Sequence, residues 1–325
     1  MRTISAFIQT ERGHKVEKLL GGALFAGSML FLSAVLIRGW FQIEPHLRQM
    51  NIRLLAAGQL CTIAALLIGD MMWSLVQAAF DLGFSWYEGI IIHLVSGITK
   101  YIPGYAWQYM SKAYLSRKRG ASSKRITIAM LTELILLLAG GGIIAALWGW
   151  LALRFWRPLP IALPSCGWFV IGAAALLVAI FWNSAVARWS TGDHRLIRQG
   201  MLWASLVLSV IGWMAFATAA WLISRAIYPI SVEDFPQHVV ALVASGLVSL
   251  LVFVVPSGLG VREMTLAFML QGALPFTIGV LVSVLIRLSV VLGELLSIVI
   301  VLCLGLHRLR IPGRKSEESE GKMAE

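Results

Sequence analysis

The sequence predicts an all-α integral membrane protein that crosses the bilayer several times. Of its 325 residues, 58% are hydrophobic and only 13% are charged, whereas soluble domains carry roughly a quarter of charged residues. The apolar residues form long runs, many of them reaching the ~20 residues that an α-helix needs to cross the hydrocarbon core. Because the polar segments between these runs are short, no large aqueous domain is expected.

Six of the apolar runs are long and continuous enough to be spanning helices. Taken in order, they are Leu19–Ile37, Leu54–Ala79, Ile126–Leu153, Ile161–Trp182, Met201–Ile223 and Ile278–Leu306. The first run is expected to be a retained helix, because no small-residue cleavage site of a signal peptide follows it.

Two further apolar runs, Tyr87–Ser111 and His238–Gln271, are interrupted. Proline removes a backbone donor and glycine permits positive φ, so both residues can end a helix. In lipid, such a break is tolerated only where protein or a water-filled cavity satisfies the freed backbone groups. The interrupting residues are Pro103 and Gly104 in the first run, and Pro256, Gly258 and Gly260 in the second.

The distribution of positive charge favours two re-entrant hairpins over two complete crossings. If both interrupted runs crossed the membrane, the basic segment Ser116–Arg125 would face the outside, against the positive-inside tendency. If each run enters and leaves on the same side, most basic residues near the membrane ends lie inside. This threading also places both termini in the cytoplasm.

The same threading predicts two transmembrane halves of opposite orientation. The first half is residues 1–157 with a hairpin at about 87–111, and the second is residues 158–306 with a hairpin at about 238–271. Residues 307–325 form a polar tail that is expected to be disordered. Inverted repeats whose broken helices meet near the bilayer midplane are a recurrent plan of transporters.

Seven ionisable residues lie at predicted membrane depth, where charge is costly and commonly marks a substrate or ion path. Arg262 and Glu263 directly follow the second break, which makes this stretch the strongest candidate site. For Asp70 and Lys100, pairing that merely holds the bundle together is an equal alternative. Ordinary polar contacts are expected for His93 and His238. The seven candidates are Asp70, Lys100, Glu133, Arg262, Glu263, Arg287 and Glu294.

Signatures of other chemistry are not found in the sequence. It contains no Walker-type phosphate loop, no H-E-x-x-H and no G-x-S-x-G, so neither enzyme activity nor a cofactor is expected. The three cysteines lack disulfide or metal-ligand spacing, and no metal is expected. The net charge of +11 comes mostly from residues at membrane ends, which indicates orientation in the bilayer and not binding of nucleic acid.

Two short motifs, K-Y-I-P-G-Y-A-W at Lys100–Trp107 and P-S-G-L-G-V-R-E at Pro256–Glu263, resemble those of a known family. Together with Arg287 in the final run, they are similar to the transmembrane region of lysylphosphatidylglycerol synthases, the flippase part of the bacterial multiple peptide resistance factor. That family usually has P-G-G-L-G-x-R-E, so Ser257 is a departure. Glu133 fits the glutamate that the family has in the span after the first motif.

The resemblance extends from about Leu19 to Leu306 and implies movement of a lipid between the leaflets of a bacterial cytoplasmic membrane. In the resistance factor the cargo is an aminoacylated phosphatidylglycerol, made by a fused cytoplasmic synthase domain. Only a short tail follows Leu306 in this sequence, so synthesis is not expected. An aminoacylated phosphatidylglycerol, another phospholipid and a polyprenyl-phosphate-linked sugar remain open as cargo. Membrane lipids, and a separate lipid-modifying synthase or glycosyltransferase, are the expected partners.

Arg262 and Arg287 are the expected phosphate ligands, because a guanidinium is planar and always charged. Glu133, Glu263 and Glu294 would orient the arginines, accept a cationic headgroup or carry a proton. A secondary transporter of a small soluble anion and a membrane-embedded transferase acting on a lipid carrier are the alternatives. The transporter needs a cavity closed to lipid. The transferase would be expected to carry a metal-binding acidic pair such as D-x-x-D, and no such pair occurs at the predicted membrane depth.

Overall fold

A computed structural model describes residues 27, 30–101, 107–155, 165–190, 197–251 and 260–305, and within these residues it contains helices and no strands. Residues 30–38 are helical, and two short 3-10 helices lie at Thr99–Tyr101 and Val232–Asp234. The α-helices that follow residue 38 are α1 (Trp40–Arg48), α2 (Ile52–Ala79), α3 (Trp86–Ile98), α4 (Trp107–Lys118), α5 (Ser123–Phe155), α6 (Ser165–Ser190), α7 (Gln199–Ile227), α8 (Phe235–Leu251), α9 (Val261–Met269) and α10 (Phe276–Gly305).

Five of the described helices, α2, α5, α6, α7 and α10, are long and apolar enough to cross a membrane. They correspond to the predicted runs that begin at Leu54, Ile126, Ile161, Met201 and Ile278. The predicted first run, Leu19–Ile37, lies mostly outside the described residues, as do the predicted join between the halves near residue 158 and the tail at 307–325. The protein is therefore an all-α, multi-pass membrane protein.

The outward faces of the long helices are apolar, as a lipid environment requires. On α6, for example, Phe169 is 60% exposed, Leu177 is 63% exposed and Phe181 is 69% exposed. In water, such a surface would be far larger than the apolar patches of ordinary soluble proteins. The hydrocarbon core covers it instead.

Helices α2 and α7 form the central pair of the bundle. They come close because Gly58 of α2 faces Ile223 of α7, and a Cβ added at Gly58 would lie 2.8 Å from the Ile223 side chain. Helix α5 packs against α6, α7 and α8, while α10 packs against α2, α3 and α9. The shorter helices α3, α8 and α9 thus pack against the spanning helices.

Replacing Gly140 with alanine is expected to push α5 away from α7 and to lower the melting temperature in detergent. A Cβ at this position would lie 2.7 Å from the Cβ of Ser209, and overpacking of this kind costs roughly 1–3 kcal/mol. Gly69→Ala is the matched control, since a Cβ there meets nothing within 4 Å. Equal melting temperatures for the two variants would contradict close packing of α5 on α7.

The first interrupted run forms two short helices, α3 of 13 residues and α4 of 12 residues. Each is about 20 Å long or less at 1.5 Å per residue, which is too short to cross ~30 Å of hydrocarbon. The two helices pack against each other. Thr99 Oγ1 lies 2.9 Å from Ser111 Oγ near the break, and Glu88 pairs with Arg119 at the opposite end. The second limb continues to Lys118, beyond the predicted end of the run.

The second interrupted run forms α8 and α9, which also pack against each other. Gln237 at the start of α8 donates its side-chain N–H to the carbonyl of Met269 at the end of α9, at 2.7 Å, so the two helices run in opposite directions. Gly260 has a φ of 84°, and α9 begins at the next residue, Val261. The other predicted break residues, Pro103, Gly104, Pro256 and Gly258, lie outside the described residues.

Candidate functional site

The ionisable side chains near the two breaks lie in two neighbouring clusters. The first, called here the histidine cluster, consists of Asp70, His93, Lys112 and Glu133. The second, called here the arginine cluster, consists of Lys100, Arg262, Glu263, Arg287 and Glu294.

In the histidine cluster, an imidazole lies between two carboxylates from different helices. His93 of α3 has its Nδ1 2.6 Å from Oδ1 of Asp70 on α2, and its Nε2 3.1 Å from Oε1 of Glu133 on α5. Lys112 of α4 donates hydrogen bonds to both oxygens of Glu133, at 2.9 and 2.6 Å. One contiguous network therefore connects four helices.

The indole of Trp73 holds the two basic groups of this cluster in place. The Lys112 ammonium lies 3.9 Å from the centroid of the Trp73 ring, a cation–π contact that is strengthened when the pair is removed from water. The His93 ring stacks on the same indole with an interplanar angle of 20°. Because the Lys112 side chain is only 3% exposed, its charge depends on these protein partners.

The arrangement of the histidine cluster differs from that of a metal site. The two imidazole nitrogens of His93 face different carboxylates, so the three side chains do not converge on one point. Within the described parts of the chain, no group of three or more His, Cys, Asp or Glu residues is placed to hold a metal ion. The ammonium of Lys112 donates to both oxygens of Glu133, so it lies where a metal ion bound to that carboxylate would have to lie.

In the arginine cluster, Glu263 joins the start of α9 to α10. Its Oε2 accepts a hydrogen bond from the backbone N–H of Gly260 at 2.7 Å, and its Oε1 accepts one from Arg287 Nη1 at 3.4 Å. The Glu263 carboxylate is buried, so these donors replace the water it lacks. On α10, two turns beyond Arg287, Glu294 forms an ion pair with Lys100.

Arg262 is the member of the arginine cluster that has no close carboxylate. Its guanidinium carbon lies 5.4 Å from the centroid of the Phe216 ring, and none of the described carboxylates forms an ion pair with it. It is within electrostatic reach of Arg287, Glu263 and Glu294. With Arg262 included, the cluster has three cationic side chains and two carboxylates, and therefore carries an excess of one positive charge.

The two clusters together form one polar region, because their charges interact. Asp70 of the histidine cluster is within electrostatic reach of Glu294, and Lys100 is within reach of both arginines. Polar contacts between α2 and α10 extend the region, since Ser289 donates to the side chain of Gln59 at 2.8 Å. Both sides of the first break and the α9 side of the second break therefore contribute to one shared set of charges.

All seven candidate residues from the sequence lie in these clusters. Asp70 and Glu133 belong to the histidine cluster, and the other five belong to the arginine cluster. Sequence reasoning missed Lys112 because the interrupted run was ended at Ser111, one residue too early. It also assigned His93 to ordinary polar contacts. A count of charge was the available signal, since the two carboxylates Asp70 and Glu133 at membrane depth require a cation, and Lys112 directly follows the predicted end of the interrupted run.

A multi-pass bundle in which interrupted helices bring buried ions together is the architecture of a membrane transporter or of a related lipid-handling protein. The family described as "Lysylphosphatidylglycerol synthase TM region" matches the chain over residues 18–298. The chain belongs to this family, and the resemblance seen in the two motifs is confirmed. No individual curated protein matches the chain.

Proposed function

We propose that this protein moves a lipid with a phosphate-bearing headgroup between the leaflets of a bacterial cytoplasmic membrane. The observation that carries the proposal is the unbalanced positive charge of the arginine cluster, centred on Arg262. A charge at membrane depth without a counter-ion is costly, and a phosphate group would supply the negative charge that the described carboxylates do not. The planar fork of a guanidinium matches two phosphate oxygens. Membership of the family supports a role that involves membrane lipids.

This polar region offers partners to a headgroup that hydrocarbon excludes. Moving a phosphate into hydrocarbon without partners is prohibitively costly. Within this protein, the side chains of Arg262, Lys100 and Arg287 would replace its hydration, while the acyl chains remain in lipid. The carboxylates of Glu263 and Glu294 keep two of these cations in place through ion pairs.

We also propose that both interrupted runs are re-entrant hairpins and that residues 1–157 and 158–306 form an inverted repeat. The packing of the halves is reciprocal: α5 of the first half packs against α8 of the second, and α10 of the second packs against α3 of the first. An exchange of this kind is expected of two related halves that face each other across the bilayer midplane. Both termini would then lie in the cytoplasm.

The proposal is tested by measuring leaflet exchange in liposomes that contain the purified protein. Fluorescent phosphatidylglycerol, aminoacylated phosphatidylglycerol and a polyprenyl-phosphate-linked sugar would be presented in separate preparations. Faster exchange of at least one of them than in protein-free liposomes is expected. If all three stay at the protein-free rate while a soluble anion is taken up, the protein is a secondary transporter. If the labelled lipid is chemically altered, it is a transferase.

Arg262→Ala is expected to slow lipid exchange by about ten- to a hundredfold, because a hydrogen bond to a charged group contributes roughly 1.5–3 kcal/mol. The melting temperature in detergent should not fall, since none of the described carboxylates loses an ion-pair partner. Arg48→Ala is the matched control: this arginine is exposed and contacts Glu44 within its own helix. Wild-type exchange by Arg262→Ala would remove Arg262 from the headgroup site.

A further inference from the structure

The histidine cluster is arranged to hold one more proton than a neutral His93 supplies beside two ionised carboxylates. His93 Nδ1 forms a hydrogen bond of 2.6 Å with Asp70, and its Nε2 lies 3.1 Å from an oxygen of Glu133, within ion-pair distance. A neutral imidazole has a single N–H, and an ionised carboxylate only accepts. One ring nitrogen of a neutral His93 would therefore direct its lone pair at a carboxylate oxygen, and an additional proton on that nitrogen or on one of the carboxyl groups removes this repulsion.

A count of charge leads to the same requirement. With Lys112 charged and both carboxylates ionised, the cluster carries one negative charge when His93 is neutral, and no net charge when the additional proton is present. The Asp70 side chain is 4% exposed and the Lys112 side chain is 3% exposed, so water compensates little of the difference. Oδ2 of Asp70 has no hydrogen-bond partner among the described residues, which leaves His93 as its nearest source of a proton.

The charge of the histidine cluster complements that of the arginine cluster. Without the additional proton, the histidine cluster carries one negative charge, which balances the one excess positive charge of the arginine cluster. With the proton bound, the histidine cluster is neutral, and a bound anion can balance the excess positive charge of the arginine cluster. The Lys100–Glu294 pair is the part of the arginine cluster that interacts with the histidine cluster, since Asp70 is within electrostatic reach of Glu294. Binding of an anionic headgroup and binding of a proton therefore each restore the neutrality that the other disturbs.

We propose that Asp70, His93, Lys112 and Glu133 form a proton-binding site that is loaded together with the lipid, so that lipid moves in an electroneutral symport with one proton. This inference rests on the proposed function. The proton enters the His93 network as the phosphate reaches Arg262, and both leave when the site opens to the other leaflet. The pair crosses the hydrocarbon without net charge, which is the least costly way to carry an anion through it.

Calorimetric titration of the purified protein with a short-chain phosphatidylglycerol tests the proposal. Repeating the titration in buffers of different ionisation enthalpy gives the number of protons bound per lipid. For the wild type, about one proton per lipid is expected, and by linkage the Kd should rise about tenfold per pH unit where the unloaded site is deprotonated. His93→Gln should bind the lipid without the proton. His46→Gln is the matched control, because His46 lies against Tyr228, outside both clusters.

The outcomes of the titration distinguish failure of the symport from failure of the proposed function. Binding by the wild type without proton uptake between about pH 5 and pH 8, the range in which histidine side chains change charge, overturns the symport and leaves the proposed function standing. Equal uptake by His93→Gln and the wild type also overturns it. If phosphatidylglycerol does not bind, the titration is repeated with aminoacylated phosphatidylglycerol and a polyprenyl-phosphate-linked sugar, and absence of binding of all three overturns both proposals. In liposomes, a pH gradient should drive phosphatidylglycerol toward one leaflet in the wild type, whereas a membrane potential set with valinomycin and potassium should not. A response to the potential alone would overturn the electroneutral symport.

Discussion

Replacing Lys112 with alanine is expected to destabilise the protein by about 3–5 kcal/mol, the cost of leaving a buried charge without its partner. Lys112 donates to both oxygens of Glu133, and its ammonium rests on the Trp73 ring. Without it, the carboxylates of Asp70 and Glu133 remain on either side of His93 with no permanent cation between them. The loss should appear as a lower melting temperature in detergent and as unfolding at lower denaturant concentration.

Two further variants isolate the ion pair from the general effect of shortening a lysine. Lys118→Ala removes the same side chain from the same helix at an exposed position and should leave stability unchanged. Combining Lys112→Met with Glu133→Gln removes both charges, so much of the lost stability should return. Compared with the two single variants, this double variant completes a double-mutant cycle that measures the coupling free energy between Lys112 and Glu133. If Lys112→Ala is as stable as Lys118→Ala, the Lys112–Glu133 pair does not support the bundle.

The spanning helices could be predicted from the sequence, because the property that defines them is continuous hydrophobicity over a fixed length. The run predicted at Leu54–Ala79 is α2, which begins at Ile52 and ends at Ala79. The run predicted from Ile278 is α10, which begins at Phe276. Each of these starts differs by two residues, a usual uncertainty at a helix end. Helix α1 was not predicted, because its 9 residues are too few for a span.

The partners of the buried charges could not be predicted in the same way. Asp70 was expected either to serve the site or to pair within the bundle, with no partner named, and its close contact is His93, on another helix. Lys100 pairs with Glu294, which is 194 residues away in the chain. Such pairs depend on which helix faces which, and hydrophobic periodicity carries no information about that. In the second interrupted run, the charged residues Arg262 and Glu263 directly follow the break at Gly260. Their closeness to the break could therefore be predicted from the sequence.

Replacing Glu263 with alanine is expected to abolish lipid exchange and to lower the melting temperature, in contrast to Arg262→Ala. The Glu263 carboxylate accepts from both Gly260 N–H and Arg287, so it fixes the start of α9 against α10. Its removal takes away the ion pair that Arg287 forms with a buried carboxylate, at a cost of about 3–5 kcal/mol, and raises the excess positive charge of the arginine cluster from one to two. Fluorescence-monitored melting and the liposome exchange assay measure the two effects.

The variant Glu263→Gln separates the two contacts of this carboxylate. Its amide oxygen can still accept from the Gly260 N–H, whereas the ion pair with Arg287 is lost. A melting temperature between those of the wild type and Glu263→Ala is therefore expected, with exchange still strongly reduced. Glu233→Ala, at an exposed glutamate of the second 3-10 helix, is the matched control. If Glu263→Gln exchanges lipid at the wild-type rate, the carboxylate acts only as a cap of α9, because the charge that positions Arg287 is then dispensable for transport.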